Sequence, residues 1–217
     1  MTTSDGWAAA VRDRLAPGRL LPLGTAADGA WITERAAREV MGRAASAVRG
    51  VVPGELRIGP DREADPESGS GEAGLRVSAS FGAVAGQPLP GLTEALRAAL
   101  LTAAEDGLGL VTAAVDLRVT ELLDAAPPET EPAAPPPGRA SPATDDPVAL
   151  AALGVPGVAA MTDAIGPAVR RGPDGVRVEL AVTAGARPLD VARAVRTAVT
   201  AAVPEEAAVT VVVSELR

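Results

Sequence analysis

The chain of 217 residues predicts an α+β protein of two related modules, each a three-stranded sheet with a helix packed on one face. Three observations lead there. A proline-rich acidic stretch divides the chain in two. On either side of it, strand-like alternation flanks an amphipathic helical stripe. The two stripes repeat one template, 99 positions apart. Each module then reads β-β-α-β, the first with an extra N-terminal helix.

Residues 1–29 are expected to be an N-terminal extension with a short helix over Asp5 to Leu15, setting Trp7, Val11 and Leu15 on one side. The first module, residues 30–123, opens with the extra helix, Thr33 to Val48. Thr33 can cap it, Glu34 complements its dipole, and Ala36, Ala37, Val40, Met41, Ala44 and Val48 make an apolar stripe. Val51-Val52-Pro53-Gly54 follows. Leu75, Val77, Ala79 and Phe81 alternate with Arg76, Ser78 and Ser80, as a half-buried strand should. Leu92, Ala95, Leu96, Ala99, Leu100 and Ala103 then mark one face of a helix that Gly107 and Gly109 end. Val111 to Leu122 closes the module as a strand with Asp116 and Arg118 facing outward.

From Asp124 to Pro147 there are eight prolines in 24 residues, mixed with Ala, Glu and Asp, which predicts a semi-rigid acidic linker. The second module, residues 148–217, starts with a reduced helix, Val148 to Leu153, and Gly154-Val155-Pro156-Gly157 echoes the first module's Val-Pro-Gly. Gly172-Pro173-Asp174-Gly175 is a turn between a strand ending near Arg171 and one from Val176. There Val176, Val178, Leu180 and Val182 alternate with Arg177, Glu179, Ala181 and Thr183. The helical stripe returns as Val191, Ala194, Val195, Ala198, Val199 and Ala202, with Asp190 placed as N-cap and Pro204 as the stop. Val209 to Leu216 is the closing strand, and both closing strands end in Glu-Leu. Abundant alanine alone could produce one such match; duplication accounts better for the flanking strands as well.

The absences narrow the chemistry. All 20 basic residues are Arg, and there is no Lys, His, Cys, Tyr or Asn. That removes thiolate nucleophiles, imidazole bases, Schiff-base and P-loop lysines, and Cys or His metal ligands. Carboxylates and hydroxyls remain, so the chain is expected not to be an enzyme and to need no cofactor or metal. A net charge of −8 argues against nucleic acid and against direct docking on anionic lipid. No stretch approaches the length of a membrane span, and the first residues do not open a signal peptide, so the chain reads as cytoplasmic.

Several motifs are weighed against plainer readings. Asp61, Glu63, Asp65, Glu67 and Glu72 fall near a calcium-loop spacing, but Pro66 stands where the loop turn needs Gly. Gly69-Ser70-Gly71-Glu72-Ala73-Gly74 matches a dinucleotide fingerprint but precedes a strand and follows carboxylates that repel phosphate. Both read as an acidic loop. Glu105-Asp106 and Glu205-Glu206 read as solvated charge at helix ends. The remaining candidates are interface residues: Trp31, Arg35, Arg38, Arg76, Arg97, Arg177 and Arg196. Arg76 and Arg177 hold equivalent strand positions, and Arg97 and Arg196 equivalent helix positions. A repeated Arg suits a shared interface or an anionic ligand, or simply a solvated face. Trp31 suits a partner anchor or a staple of the first helix onto its own sheet.

Trp31-Ile32-Thr33-Glu34-Arg35-Ala36-Ala37 running to Ala47-Val48-Arg49-Gly50-Val51 resembles the opening helix of the bacterial alkaline-shock, or envelope stress response, family. Phe81-Gly82, Pro90 to Leu110, and Val115-Asp116-Leu117-Arg118-Val119 are similar to later segments of that family. The likeness covers Ala30 to Leu123, with Val155 to Leu216 as a divergent second copy. It implies a non-catalytic cytoplasmic scaffold that self-associates and gathers at the membrane through a small membrane-anchored protein. The duplication could instead supply an internal pseudo-dimer. A different class of function, a regulatory module sensing a small ligand between the two copies, stands as the alternative.

Overall fold

The computed structural model describes residues 18–61, 74–125, 144–173, 175–203 and 207–217. In chain order the elements are β1 (Leu20–Leu23), β2 (Ala30–Thr33), α1 (Glu34–Ser46), β3 (Val51–Pro60), β4 (Leu75–Val84), α2 (Leu89–Thr102) and β5 (Thr112–Leu123). The second half holds α3 (Pro147–Leu153), β6 (Val158–Met161), β7 (Val169–Gly172), β8 (Gly175–Val182), α4 (Pro188–Thr200) and β9 (Val209–Leu216). The protein is mixed α+β.

Each half repeats one order: a helix, an antiparallel strand pair, a crossover helix, and a return strand parallel to the second of the pair. In the first half this gives the sheet β3-β4-β5, with β3 antiparallel and β5 parallel to β4. In the second, β6 and β7 both pair antiparallel to β8, and β9 runs parallel to it. The return strands share a detail. A register shift leaves one extra residue, Thr120 in β5 and Ser214 in β9, just before the Glu-Leu that both carry.

The first correction concerns the smaller elements. The second sheet has six strands rather than three, ordered β1-β2-β9-β8-β6 with β7 also on β8. Two of them come from the N-terminal end of the chain. β1 and β2 form a hairpin, and β2 lies parallel on β9 with Ala30 opposite Val211 and Ile32 opposite Val213. The expected boundary at residue 30 therefore falls inside a hairpin that belongs to the C-terminal sheet. The strand expected to end near Arg171 is broken into β6 and β7, because the chain between them folds over Glu179.

Helix boundaries follow local chemistry. Thr33 is the N-cap of α1, its hydroxyl accepting from Ala36 N at 3.3 Å. Pro188 at the first turn starts α4 two residues before Asp190, so Arg187 takes the N-cap place and Asp190 lies within the first turn. α2 continues as a π-helical turn, Ala103–Leu108, which Gly109 ends in the left-handed region at φ +90°. A Cβ on Gly109 would also meet Leu189 Cβ at 2.5 Å. The linker is shorter than expected, since Pro147 begins α3 and Asp146 caps it. Residues 126–143, the Asp5–Leu15 helix, Pro204 and Glu205-Glu206 lie outside the described residues.

The two halves share one core. Buried Phe81, Leu96, Met41, Ile32, Leu180 and Val195 belong to a single apolar cluster. α1 makes this possible: it packs against β3 and α2 on one side and against β2 and β9 on the other. Gly24 N also donates to Gly109 O at 2.8 Å across the junction.

Candidate interaction surfaces

The sequence-predicted interface residues do not fall in one place. Arg35, Arg38 and Arg76 line one cleft of about 990 Å³. α1 forms one wall with Glu34, Arg35, Arg38, Glu39 and Gly42, β3 forms the other from Gly54 to Pro60, and Arg19 and Arg76 stand beside them. Spacings of three and four residues put Arg35, Arg38 and Gly42 on one helical face. The cleft lies within the first half of the chain, not between the halves.

Its charges are unequally occupied. Arg76 is committed: Nη2 lies 2.9 Å from Asp61 and Nη1 2.7 Å from Asp116. Asp116 and then Asp61 raise its pKa above the usual arginine value. It thus ties the end of β3 to β5 from β4 between them. Arg57 meets Glu55 at 2.7 Å, but both side chains are well exposed, so this pair holds little energy. Arg19 and Arg38 make no ion pair among the described residues. They leave unneutralised guanidinium on a concave surface, a geometry suited to carboxylate or phosphate oxygens.

Arg196 and Arg97 prove unequal. Arg196 Nη1 donates to Ala27 O, and its neighbour Arg193 reaches Asp28 at 2.8 Å. Together they fasten the β1–β2 turn onto α4. Asp28 also accepts from Thr25 N at 2.8 Å, and its pKa falls to about 2, chiefly through the Arg193 hydrogen bond. Arg97 instead pairs with Glu94 on its own helix at 2.5 Å. Arg177 is half-buried opposite Arg170, with Nε and Nη2 buried and unpartnered among the described residues. None of these three is placed as a free contact. Trp31, 36% exposed, shares a cross-strand row with Val212 and Glu179 on the sheet face away from the main core.

That row leads to a polar network missed in the sequence, where Glu179 reads as an outward strand residue. Glu179 is fully buried. Its carboxylate accepts from Ala164 N at 2.7 Å, from Ile165 N at 3.1 Å and from the Thr162 hydroxyl at 3.2 Å. Thr162 and Ser214 hydroxyls are 2.6 Å apart, and Thr33 donates to Ser214 O at 3.1 Å. The four buried polar residues among the described ones thus form one chain. Burial raises the Glu179 pKa, against the lowering by the Ile165 and Ala164 amides and the two hydroxyls. Its role is structural: it holds the β6–β7 connection on the sheet.

Of the calcium-loop spacing only Asp61 is described, and of the glycine fingerprint only Gly74; the others lie outside the described residues. Glu105 and Asp106 are exposed in the π-helical turn, where Glu105 O accepts from Arg187 at 2.8 Å. No group of three or more acidic, His or Cys side chains placed to hold a metal occurs among the described residues. No helix there is long and apolar enough to cross a membrane. Compared with family models, curated proteins and solved structures, the chain finds no match.

Proposed function

We propose that the chain is a non-catalytic cytoplasmic scaffold or adaptor of envelope stress or homeostasis, working by self-association and protein–protein docking. Its docking partner is a small membrane-anchored protein with an acidic segment. The observation that carries the docking step is the α1–β3 cleft, where Arg38 and Arg19 make no ion pair among the described residues. The wall of that cleft is the same segment, Trp31 to Val51, that resembles the alkaline-shock family; the envelope role rests on that resemblance.

The test is capture of the tagged protein from gently solubilised membranes of its host, beside the variant Arg35→Glu/Arg38→Glu. Both side chains are exposed on α1, so the exchange leaves the core intact. Recovery of a small membrane-anchored protein by the wild type, and its loss in the variant, supports the proposal. Bait alone in both overturns it. A second reading, a sensor for a small anion, draws on the same unneutralised arginines. A thermal midpoint that rises with inorganic polyanion, and stops rising in the variant, would favour it.

A further inference from the structure

β5 and β9 occupy equivalent places, each the return strand parallel to the second strand of its half, yet their outer edges differ. The edge of β9 is covered by β2, whose turn Arg196 and Arg193 fasten to α4. The edge of β5 has no strand beside it among the described residues, and Arg97, the counterpart of Arg196, turns to its own helix. β5 is twelve residues long, with Val119 and Leu122 exposed at 37% and 73% and Val111, just before it, at 45%. A long edge with apolar exposure is a template for another strand.

The register shows which groups are unused. Leu75 N donates to Val111 O and Ala85 N to Leu123 O, so odd-numbered residues of β4 direct their bonds to β5. Val77, Ala79 and Phe81 lie opposite Val115, Leu117 and Val119. Parallel pairing carries their bonds to the residues before and after those three. The amides and carbonyls of Val115, Leu117 and Val119 therefore point out of the sheet.

We infer that this edge pairs antiparallel with β5 of a second copy of the chain, about a two-fold axis at Leu117. In that register Leu117 meets its own counterpart and Val115 meets Val119. These are the residues with free amides and carbonyls, so each pair exchanges both bonds. Asp116 then stands opposite Arg118 of the second copy, twice over, in pairs whose side chains approach most closely. Arg118 makes no ion pair among the described residues, while Asp116 keeps an oxygen toward Arg76. The strand is its own charge complement. The joined sheet has six strands, as the other already has. The inference deepens the self-association in the proposed function and names its surface.

Sedimentation of the full chain across a concentration series tests it. The wild type is expected to pass from 21.6 kDa to twice that mass. Arg118→Glu and Asp116→Arg each set like charges opposite and are expected to stay monomeric, while an equimolar mixture of the two dimerises. Leu117→Pro removes an amide that no described strand of its own molecule uses and is expected to abolish the dimer with the fold retained by circular dichroism. A wild type that is monomeric throughout overturns the inference; slow exchange of the Val115, Leu117 and Val119 amides in that monomer would assign the edge to the chain's own segments. A dimer that survives both Arg118→Glu and Leu117→Pro overturns it too, by placing association elsewhere. Membrane capture reads a different surface, so either proposal can fail alone.

Discussion

Glu179 shows what a single residue can hide from sequence reading. Alternation in β8 puts it among outward positions with Arg177 and Ala181, and that parity is correct. What alternation cannot show is that the Thr162–Ala168 connection returns over the outer face and buries it. The physical signal available was β9, whose Val211-Val212-Val213 run is continuous where β5 alternates, a mark of burial on both faces. Glu179→Ala would remove the acceptor shared by the part-buried Ala164 and Ile165 amides and leave the buried Thr162 hydroxyl only Ser214 as a partner. A loss of about 1–3 kcal/mol is expected, read by urea unfolding. Thr33, by contrast, was legible as a cap; its second bond, to Ser214 O, depends on a strand some 180 residues away.

Among elements, those with long periodic patterns were legible, as was the short α3, while β1 and β2 were not. α1, β4, β5, β8 and β9 lie where their stripes and alternations predict, within a few residues. β1 and β2 have four residues each, too few for a period to register, and their partner is the last strand of the chain. Their attachment has an electrostatic component that acid should expose. Asp28 on the hairpin turn, paired to Arg193, titrates near 2 when folded, below its unfolded value. Asp146, paired to Arg171 through two hydrogen bonds of 2.7 and 2.8 Å and capping α3, does the same. A depressed carboxylate stabilises the fold above its unfolded pKa and stops doing so as pH falls through the folded one. Thermal midpoints are therefore expected to decline from about pH 4 toward pH 2. The decline should be smaller in Asp28→Asn/Asp146→Asn, measured by differential scanning fluorimetry.

At the scale of the whole molecule, the repeated order of elements was legible, and the single core that joins them was not. Nothing in the stripe of α1 says that Ala36, Ala37 and Met41 serve two sheets at once, since an apolar face looks the same whatever it meets. The shared core predicts one cooperative transition rather than two. In a Trp7→Phe background, Trp31 fluorescence and far-ultraviolet circular dichroism should give coincident urea curves. Two separated midpoints would mean that α1 does not couple the sheets.

The hairpin that sits on β9 also sets an order of events at the ribosome. Ala30 emerges early, but its partner Val211 is made 181 residues later. At elongation rates of about 5–20 residues per second, the hairpin waits roughly 10 to 35 seconds for its seat. Throughout that interval the hairpin that carries Leu21, Leu23 and Ile32, fully covered in the finished protein, lacks the β9 strand on which it sits. The nascent chain is thus a client for whatever shields apolar segments during synthesis. A stop codon anywhere before Val209 would leave that exposure permanent.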